Sequence, residues 1–377
     1  MTARAHNCPK TSGCSALPRV DAFSVILRGR RLARRRSASI YGDVMASSWR
    51  WLGLGLGLVA LLGCGGDSSE PGPAAAGSGG TGGSGGGNDG VAASELPYTP
   101  CPVESGVGEF LIELGADYTS VEGQVFDGVV PAFVPAQLMS EGVCRLVTLP
   151  TLLCEPACPA STQTCGNDNQ CLPLPVAHDV GTVTVSGLAR AVEMTSASRT
   201  GSYRPPPPAL PHPGFAPGAD LRVEASGGDY EPFALRGWGV SALTVAPEPI
   251  VVTEGQPLAL RWTAPADAGP ARVSARLNVN NHGSSTTSIE CDFPDTGAAE
   301  IPASLIDGLI ALGASGFPTI TLGRRTATSA SITPGCVQLL VRSEVTLDVS
   351  LTGLVSCDTD AECPDGQTCK PIERFCE

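Results

Sequence analysis

Few side chains beyond residue 100 could act as general acids, general bases or metal ligands. Lys370 is the only lysine in that part, which leaves little for Schiff-base or phosphate chemistry. The histidines there are His178, His212 and His282. None has a second histidine or a carboxylate at the spacing of a metal or acid–base motif, since Asp179 is only the next residue after His178. We therefore predict no catalytic residue, no metal site and no cofactor.

Two short patterns could still suggest hydrolysis. Gly82-Gly83-Ser84-Gly85-Gly86 satisfies Gly-x-Ser-x-Gly, but it lies in a Gly/Ser-rich stretch rather than on a strand-to-helix turn. Asp295-Thr296-Gly297 resembles the active-site loop of aspartic proteases, which need two such loops so that two carboxylates share a proton. This sequence has one copy, preceded by Pro294. We predict a β-turn at Asp295 and no protease site.

An apolar run from Trp51 onwards ends at a cysteine. It follows Met45 and one basic residue, Arg50, and it is too short to span a bilayer core of ~30 Å but is typical of a signal peptide. Leu61-Leu62-Gly63-Cys64 resembles the lipobox of bacterial lipoprotein precursors. This resemblance implies cleavage between Gly63 and Cys64, with a diacylglycerol thioether and an acylated amino group on Cys64.

Lipid on Cys64 would make a bilayer the first partner of the mature chain. Each buried CH₂ contributes ~0.8 kcal/mol, and two acyl chains give stable attachment where one gives marginal binding. Gly65 and Gly66 follow the cysteine, and the sorting pattern of such lipoproteins then permits outer-membrane delivery, so we expect the outer membrane or cell surface rather than the inner membrane. Residues 1–44, which include a basic cluster from Arg28 to Arg36, do not fit a secretory signal, and we interpret them as a wrongly assigned upstream extension.

The charge distribution argues against nucleic-acid binding. After Cys64 the sequence holds 14 basic and 35 acidic residues, a net charge of −21. Such a surface offers few cations to replace the counterions of a phosphate backbone. We expect a protein or glycan ligand instead.

The remaining sequence divides into a tether and two larger regions. Residues 64–95 are rich in Gly and Ser and predict a flexible tether with an r.m.s. reach of roughly 30 Å. We predict a β-rich domain over 96–248 with an inserted cysteine module at 154–171, an immunoglobulin-like β-sandwich over 249–352, and a C-terminal cysteine module at 353–377.

The fold class is predicted to be mainly β. Apolar and polar residues alternate in short runs that favour strands. Gly255 to Trp262 resembles the opening strands of immunoglobulin-like modules in bacterial surface proteins, and only 301–312 favours a helix. The predicted strands are 110–114, 129–134, 145–149, 180–185, 221–225, 242–245, 258–262, 271–279, 287–291, 318–322, 336–342 and 344–351.

Twelve cysteines remain once Cys64 and the two cysteines before the signal are set aside. An even number agrees with complete pairing in an oxidising compartment. Four-cysteine modules begin at Cys154 and Cys357, and both resemble small Dickkopf- or EGF-like modules, which implies disulfides rather than zinc. Pairing within each module is open among three connectivities. The predicted disulfide cysteines are Cys101, Cys144, Cys154, Cys158, Cys165, Cys171, Cys291, Cys336, Cys357, Cys363, Cys369 and Cys376, with Cys101–Cys144 and Cys291–Cys336 as the long-range pairs.

These observations predict a lipid-anchored envelope protein with a structural, adhesion or binding role and no enzymatic activity. Two alternatives stay open. One is an envelope hydrolase whose site is assembled from dispersed residues such as Asp295, His178 and His282, and the other is a periplasmic assembly subunit.

Overall fold

The computed structural model describes residues 91–377 except 150–153, 160–161, 167, 199, 281 and 283–285. The described residues belong to one compact unit, Gly82–Glu377. The signal peptide, Cys64 and nearly all of the tether lie outside the described residues, so those predictions stay predictions. Within the described part the protein is mainly β, which confirms the predicted class. No helix there is long and apolar enough to cross a bilayer.

The described part contains seventeen strands and one α-helix. The strands are β1 (Gly106–Leu114), β2 (Thr119–Val125), β3 (Ala136–Glu141), β4 (Cys144–Thr148), β5 (Gln163–Cys165), β6 (Cys171–Pro173), β7 (Val183–Ser186), β8 (Val192–Met194), β9 (Asp220–Ala225), β10 (Phe233–Trp238), β11 (Ile250–Val252), β12 (Leu258–Arg261), β13 (Arg272–Asn278), β14 (Thr287–Pro294), β15 (Ala298–Ile301), β16 (Thr319–Ser331) and β17 (Cys336–Leu351). The helix α1 (Ala303–Ala311) starts after Pro302, and this confirms the helix predicted over 301–312.

Most strands join one large sheet. Its order is β2-β1-β17-β16-β13-β14-β4-β3, and β11 pairs with β17 off this path. A second sheet has the order β10-β9-β7-β8, while β12–β15 and β5–β6 form separate pairs. The large sheet is therefore the layer on which the other elements pack.

The long β16–β17 hairpin passes through two hydrophobic cores. Near its turn, β17 pairs in parallel with β1, where Leu339 is opposite Phe110, and these strands pack against the four-stranded sheet. Near its other end, β17 pairs in parallel with β11, where Val349 is opposite Ile250, and this half packs against β12, β15 and α1. The described part of the chain thus contains two β-sandwiches that share one hairpin.

Strands β11 to β17 are arranged like those of an immunoglobulin-like β-sandwich, and the bounds predicted for this domain, 249–352, stay a prediction. The sheet β17-β16-β13-β14 corresponds to the G, F and C strands plus the extra C′ strand of a variable-type immunoglobulin domain, with β12 and β15 in the facing layer. Alternation of side chains explains why β12 can lie in the facing layer with one side towards the core. Leu258 and Leu260 are buried, while Ala259 and Arg261 are exposed.

The predicted boundary at 248/249 does not separate two sheets. Residues from the first region, in β1 to β4, lie in the same large sheet as β13 to β17 from the second. Alternation predicts strands but not their partners, and the β1–β17 ladder joins residues more than two hundred positions apart. The predicted tether boundary also shifts, because the Val91 carbonyl accepts a bond from Arg236 and Ala93 is buried.

Two predicted strands are absent at their predicted positions. Residues 129–134 contain a 3-10 turn, Pro131–Phe133, because proline lacks the N–H that a strand ladder needs. Residues 242–245 form no strand and contribute one isolated bridge, between Val245 and Trp262. In both places apolar residues cluster without forming a ladder.

Candidate functional site

The carboxylate of Asp295 is buried rather than open to a substrate. The predicted turn connects β14 to β15, and the Asp295 side chain is 0% exposed. The Nε1–H of Trp262 donates to its Oδ1 at 2.7 Å, and the Nε–H of Arg324 donates to its Oδ2 at 2.6 Å. Both oxygens are therefore occupied by groups of the same chain.

Arg324 extends this buried network into neighbouring loops. Its side chain is 2% exposed, and its Nη atoms donate to the carbonyls of Ala242 and Thr263 and to the hydroxyl of Ser241. A buried guanidinium with a paired carboxylate and several carbonyl acceptors meets the requirement that buried charges be fully bonded. The geometry supports a structural role for Asp295.

His178 has carboxylate partners that its sequence neighbours do not reveal. Its Nδ1 lies 3.0 Å from Oδ2 of Asp229, and its Nε2 lies 3.8 Å from Oδ2 of Asp127. The backbone N–H of Asp179 donates to the same Asp229 oxygen, and these bonds, that of Asp179 first, lower the pKa of Asp229. Both carboxylates come from positions distant in the sequence, so the spacing around His178 gave no sign of them.

The bonds around His178 connect loops. Asp179 accepts hydrogen bonds from the Tyr203 hydroxyl at 2.8 Å and from the Gly181 N–H at 2.8 Å. Burial and the bond to Asp179 raise the pKa of the Tyr203 phenol well above its usual range. The hydrogen bonds among His178, Asp179 and Asp229 thereby link the segment before β7 to the segment before β10.

The other two histidines occupy separate places in the described part of the chain. Nδ1 of His212 lies 3.3 Å from the Thr119 hydroxyl. His282 stacks on Phe317 with ring centroids 5.2 Å apart. Among the described residues, the printed partners of Asp295, His178 and His282 are therefore different groups.

All twelve predicted cysteines are paired, which confirms complete pairing. Both four-cysteine modules join their first cysteine to the third and their second to the fourth. These bonds are Cys154–Cys165, Cys158–Cys171, Cys357–Cys369 and Cys363–Cys376. Three sulfurs in each module lie close enough together to suggest a metal site, but every one of these sulfurs is already committed to a disulfide.

The predicted long-range pairs were wrong. The structure joins Cys101 to Cys336 and Cys144 to Cys291. The register of the large sheet explains the second bond, since Cys144 on β4 lies directly opposite Cys291 on β14. Cys101 is held beside β17 by its N–H, which donates to the side chain of Gln338 at 2.9 Å.

A cavity of about 490 Å³ lies at the seam between the two sandwiches. Trp238 at the end of β10 forms one wall, and Pro217 and Pro265 add apolar surface. Among the described residues, no hydrogen-bond acceptor is found for the Trp238 indole N–H. Asp267 contributes a carboxylate, while the charge of Arg324 is already neutralised by Asp295. The cavity therefore combines apolar walls with one acidic side chain, whose Oδ1 accepts the backbone N–H of Gly269 at 2.9 Å.

A second, more polar cavity of about 270 Å³ lies on the outer face of the large sheet. That face carries ion pairs between neighbouring strands, including Arg145–Glu290 at 3.0 Å and Arg272–Asp292 at 2.6 Å. Arg325 bridges to Asp292 at 3.3 Å. These pairs engage several of the charged side chains that line the cavity, while the buried Nε of Arg325 has no hydrogen-bond partner among the described residues.

Sequence reasoning missed the seam cavity entirely. Trp238 gives no motif, and the two prolines beside it are separated from each other by nearly fifty residues. The available signal was a single tryptophan at the end of an alternating strand, next to Gly239, in a chain with few aromatic residues. Only the packing of the two sandwiches brings these elements together.

Comparison with known proteins finds no matching family model and no matching curated protein. One solved structure is described as "Ca2+-stabilized adhesin helps an Antarctic bacterium reach out and bind ice". It shares 13% identity with a TM-score of 0.15, and the match covers 67% of this chain and 51% of that chain. The matched part thus spans about half of the adhesin chain, and a TM-score this low assigns neither fold nor function.

Proposed function

We propose that this protein is an exported binding protein of the bacterial cell envelope, held to a membrane by lipid on Cys64. The observation that carries the proposal is the pairing of all twelve cysteines beyond Cys64 into six disulfides. Complete pairing is typical of oxidising compartments and agrees with an export signal ending at a lipobox. The outer membrane or the cell surface is the proposed location.

Binding rather than catalysis agrees with how the polar groups are used. The carboxylate of Asp295 is paired with Arg324 in the protein interior, and His178 bonds to Asp229 on another loop. The seam cavity has the size of small-ligand pockets, ~300–1,000 Å³, and pairs apolar walls with a few polar groups. Its available charge is the carboxylate of Asp267, which favours a neutral or cationic group of a glycan or protein ligand.

The anchor is tested by replacing Cys64 with Ser. We expect the wild-type chain to partition into detergent, and its mature N-terminal peptide to begin at Cys64 with the added mass of acyl chains. Cys64→Ser should abolish both the lipid mass and cleavage after Gly63, because the thioether cannot form.

A matched control for this experiment is Ser78→Ala, which lies in the predicted tether. This change leaves Leu61-Leu62-Gly63-Cys64 intact, so partitioning and the mature N-terminus should be unchanged. An unlipidated wild-type protein, or a mature chain beginning before Cys64, would contradict the proposed anchor. Protease added to intact cells then distinguishes a surface location from a periplasmic one.

Ligand binding at the seam is tested through tryptophan fluorescence. A chain beginning at Cys64 has two tryptophans, Trp238 and Trp262, and Trp262 is only 6% exposed. Neutral oligosaccharides and short basic peptides, titrated separately, should change the emission of Trp238 if either class occupies the cavity. Asp267→Asn should weaken binding of a basic peptide at least several-fold, because hydrogen bonds to charged groups contribute ~1.5–3 kcal/mol.

The control for this titration is Asp117→Asn, which removes an exposed carboxylate on the β1–β2 turn. It should leave the titration unchanged. A fluorescence response that is unaltered in a Trp238→Phe variant would place the ligand elsewhere and contradict a seam site.

A further inference from the structure

The cavity of about 270 Å³ on the outer face of the large sheet, called the outer-face cavity below, is lined mainly by polar side chains. Its volume is close to the lower limit of small-ligand pockets, ~300 Å³. What it can bind depends on which of its polar groups are already engaged by each other. Those groups are Gln137, Ser140, Arg145, Glu290, Asp292 and Arg325.

Arg145 and Glu290 neutralise each other. They lie directly opposite on β4 and β14, and Nη2 of Arg145 donates to Oε2 of Glu290 at 3.0 Å. A guanidinium has five N–H donors and a carboxylate accepts several hydrogen bonds, so both groups can still bond to a ligand. The pair therefore adds hydrogen-bonding positions to the cavity but no net charge.

Arg325 is compensated less completely. Its Nη2 donates to Oδ1 of Asp292 at 3.3 Å, which is longer than the ~2.7–2.9 Å of a strong charge-assisted bond. Its Nε is buried and has no hydrogen-bond partner in the part of the chain that the structure describes. The side chain as a whole is 32% exposed, so a ligand can reach the guanidinium. Arg325 thus lacks an acceptor that a ligand could supply.

The register of the large sheet places Arg325 between two other arginines. Arg272 on β13 and Arg342 on β17 lie directly opposite it, so the three side chains share one face of three adjacent strands. Like charges directly opposite each other are destabilising. The carboxylate of Asp292 is bonded to Arg272 at 2.6 Å and to Arg325 at 3.3 Å, so two guanidiniums share it.

Arg342 has carboxylates of its own. Its Nη atoms lie 3.7 Å from Glu113 and 3.3 Å from Glu344. The two guanidiniums that share Asp292 are therefore left with one positive charge in excess. A ligand with a single negative charge would compensate it.

We propose that the outer-face cavity binds the carboxylate of an acidic sugar, the uronate unit of a glycan. A carboxylate can accept parallel N–H bonds from a guanidinium and would supply the acceptor that Nε of Arg325 lacks. Sugar hydroxyls both donate and accept hydrogen bonds, so they match the mixed set of Gln137, Ser140 and Glu290. A small anion without hydroxyls would leave this second set unused.

The ligand carries isolated charges rather than a continuous run of them. The net charge of −21 after Cys64 repels a polyanion, whereas one carboxylate beside Arg325 is attracted by the local excess of positive charge. We therefore infer a mainly neutral glycan with single uronate units. This site depends neither on lipid at Cys64 nor on Asp267 in the seam cavity, so it can fail or succeed separately from the proposed function.

Calorimetric titration of the full-length mature protein in detergent tests the site, with sodium glucuronate at millimolar concentration as the probe. Glucose and sodium acetate, titrated separately, should each bind at least tenfold more weakly, because glucose lacks the carboxylate and acetate lacks the hydroxyls. Arg325→Gln should weaken glucuronate binding at least tenfold, since a hydrogen bond to a charged group is lost. The matched control is Arg261→Gln, the same change at an exposed position of β12, which should leave the titration unchanged.

A second variant keeps the test decisive if Arg325→Gln does not fold. Ser140→Trp, at an exposed position of β3, fills the outer-face cavity without altering its charge and should abolish glucuronate binding. Asp267→Asn in the seam cavity should leave this titration unchanged. No heat of binding with glucuronate, equal binding of glucose or acetate, or a loss of binding in Asp267→Asn but not in Arg325→Gln would each overturn the inference.

Discussion

Replacing Asp295 with Asn should lower the free energy of unfolding by about 3–5 kcal/mol, since it leaves a buried guanidinium without its carboxylate. Arg324 is 2% exposed and cannot move its charge into water without disrupting the end of the sandwich. The Trp262 indole keeps an acceptor in the amide oxygen, so the loss is dominated by the uncompensated charge. Urea unfolding of the oxidised chain, followed by circular dichroism, measures it.

Asp117→Asn is the matched control for this substitution. It makes the same chemical change at an exposed position and should alter stability by no more than about 0.5 kcal/mol. A double variant that replaces Asp295 with Asn and Arg324 with Met should be less destabilised than the sum of the two single variants, because it removes both charges. Full stability of Asp295→Asn would show that the carboxylate is not the partner on which Arg324 depends.

The buried pair also explains why a catalytic motif can mislead. Asp295-Thr296-Gly297 has the residue types of a protease loop, but burial and bonding decide what its carboxylate can do. In the structure both oxygens accept hydrogen bonds from the same chain. The sequence could exclude a second copy of the motif but could not reveal Arg324 as the partner, since Arg324 follows on a different strand.

Local patterns predicted the elements of the fold better than their partners. Alternation located β12 and β13, and Pro302 marked the start of α1, because these signals depend on neighbouring residues. The parallel ladder between β1 and β17 had no local signal, since both strands are apolar runs that could pair with many others. A boundary at 248/249 followed from reading each region as a closed sandwich.

The same distinction between local signals and long-range contacts applies to the candidate sites. The cysteine modules were recognised because four cysteines lie within about twenty residues of each other. His178 and Asp229 meet only after the four-stranded sheet forms, and the walls of the seam cavity come from three separate loops. Contacts that depend on register and packing are therefore the ones that sequence reasoning missed.

Removing the disulfide between Cys101 and Cys336 should destabilise both sandwiches together. The bond closes a loop of sequence separation 235, and the chain-entropy model gives ~5 kcal/mol for a loop of that length. It joins the segment before β1 to the first residue of β17, the strand on which both cores depend. The double variant Cys101→Ser, Cys336→Ser should therefore lower the midpoint of the main unfolding transition.

The paired control removes Cys357–Cys369, with sequence separation 12, from the C-terminal module. The module contacts the sandwich through Gly316 and Phe317. Its disulfide should stabilise the module locally, and its removal should leave the midpoint of the main unfolding transition unchanged, because few bonds couple the module to either core.

Peptide mapping under non-reducing conditions adds a direct check, since a fragment linking Cys101 to Cys144 would contradict the assigned pairing. An equal effect of the two double variants on the main transition would show that stabilisation does not depend on the large loop that spans both sandwiches.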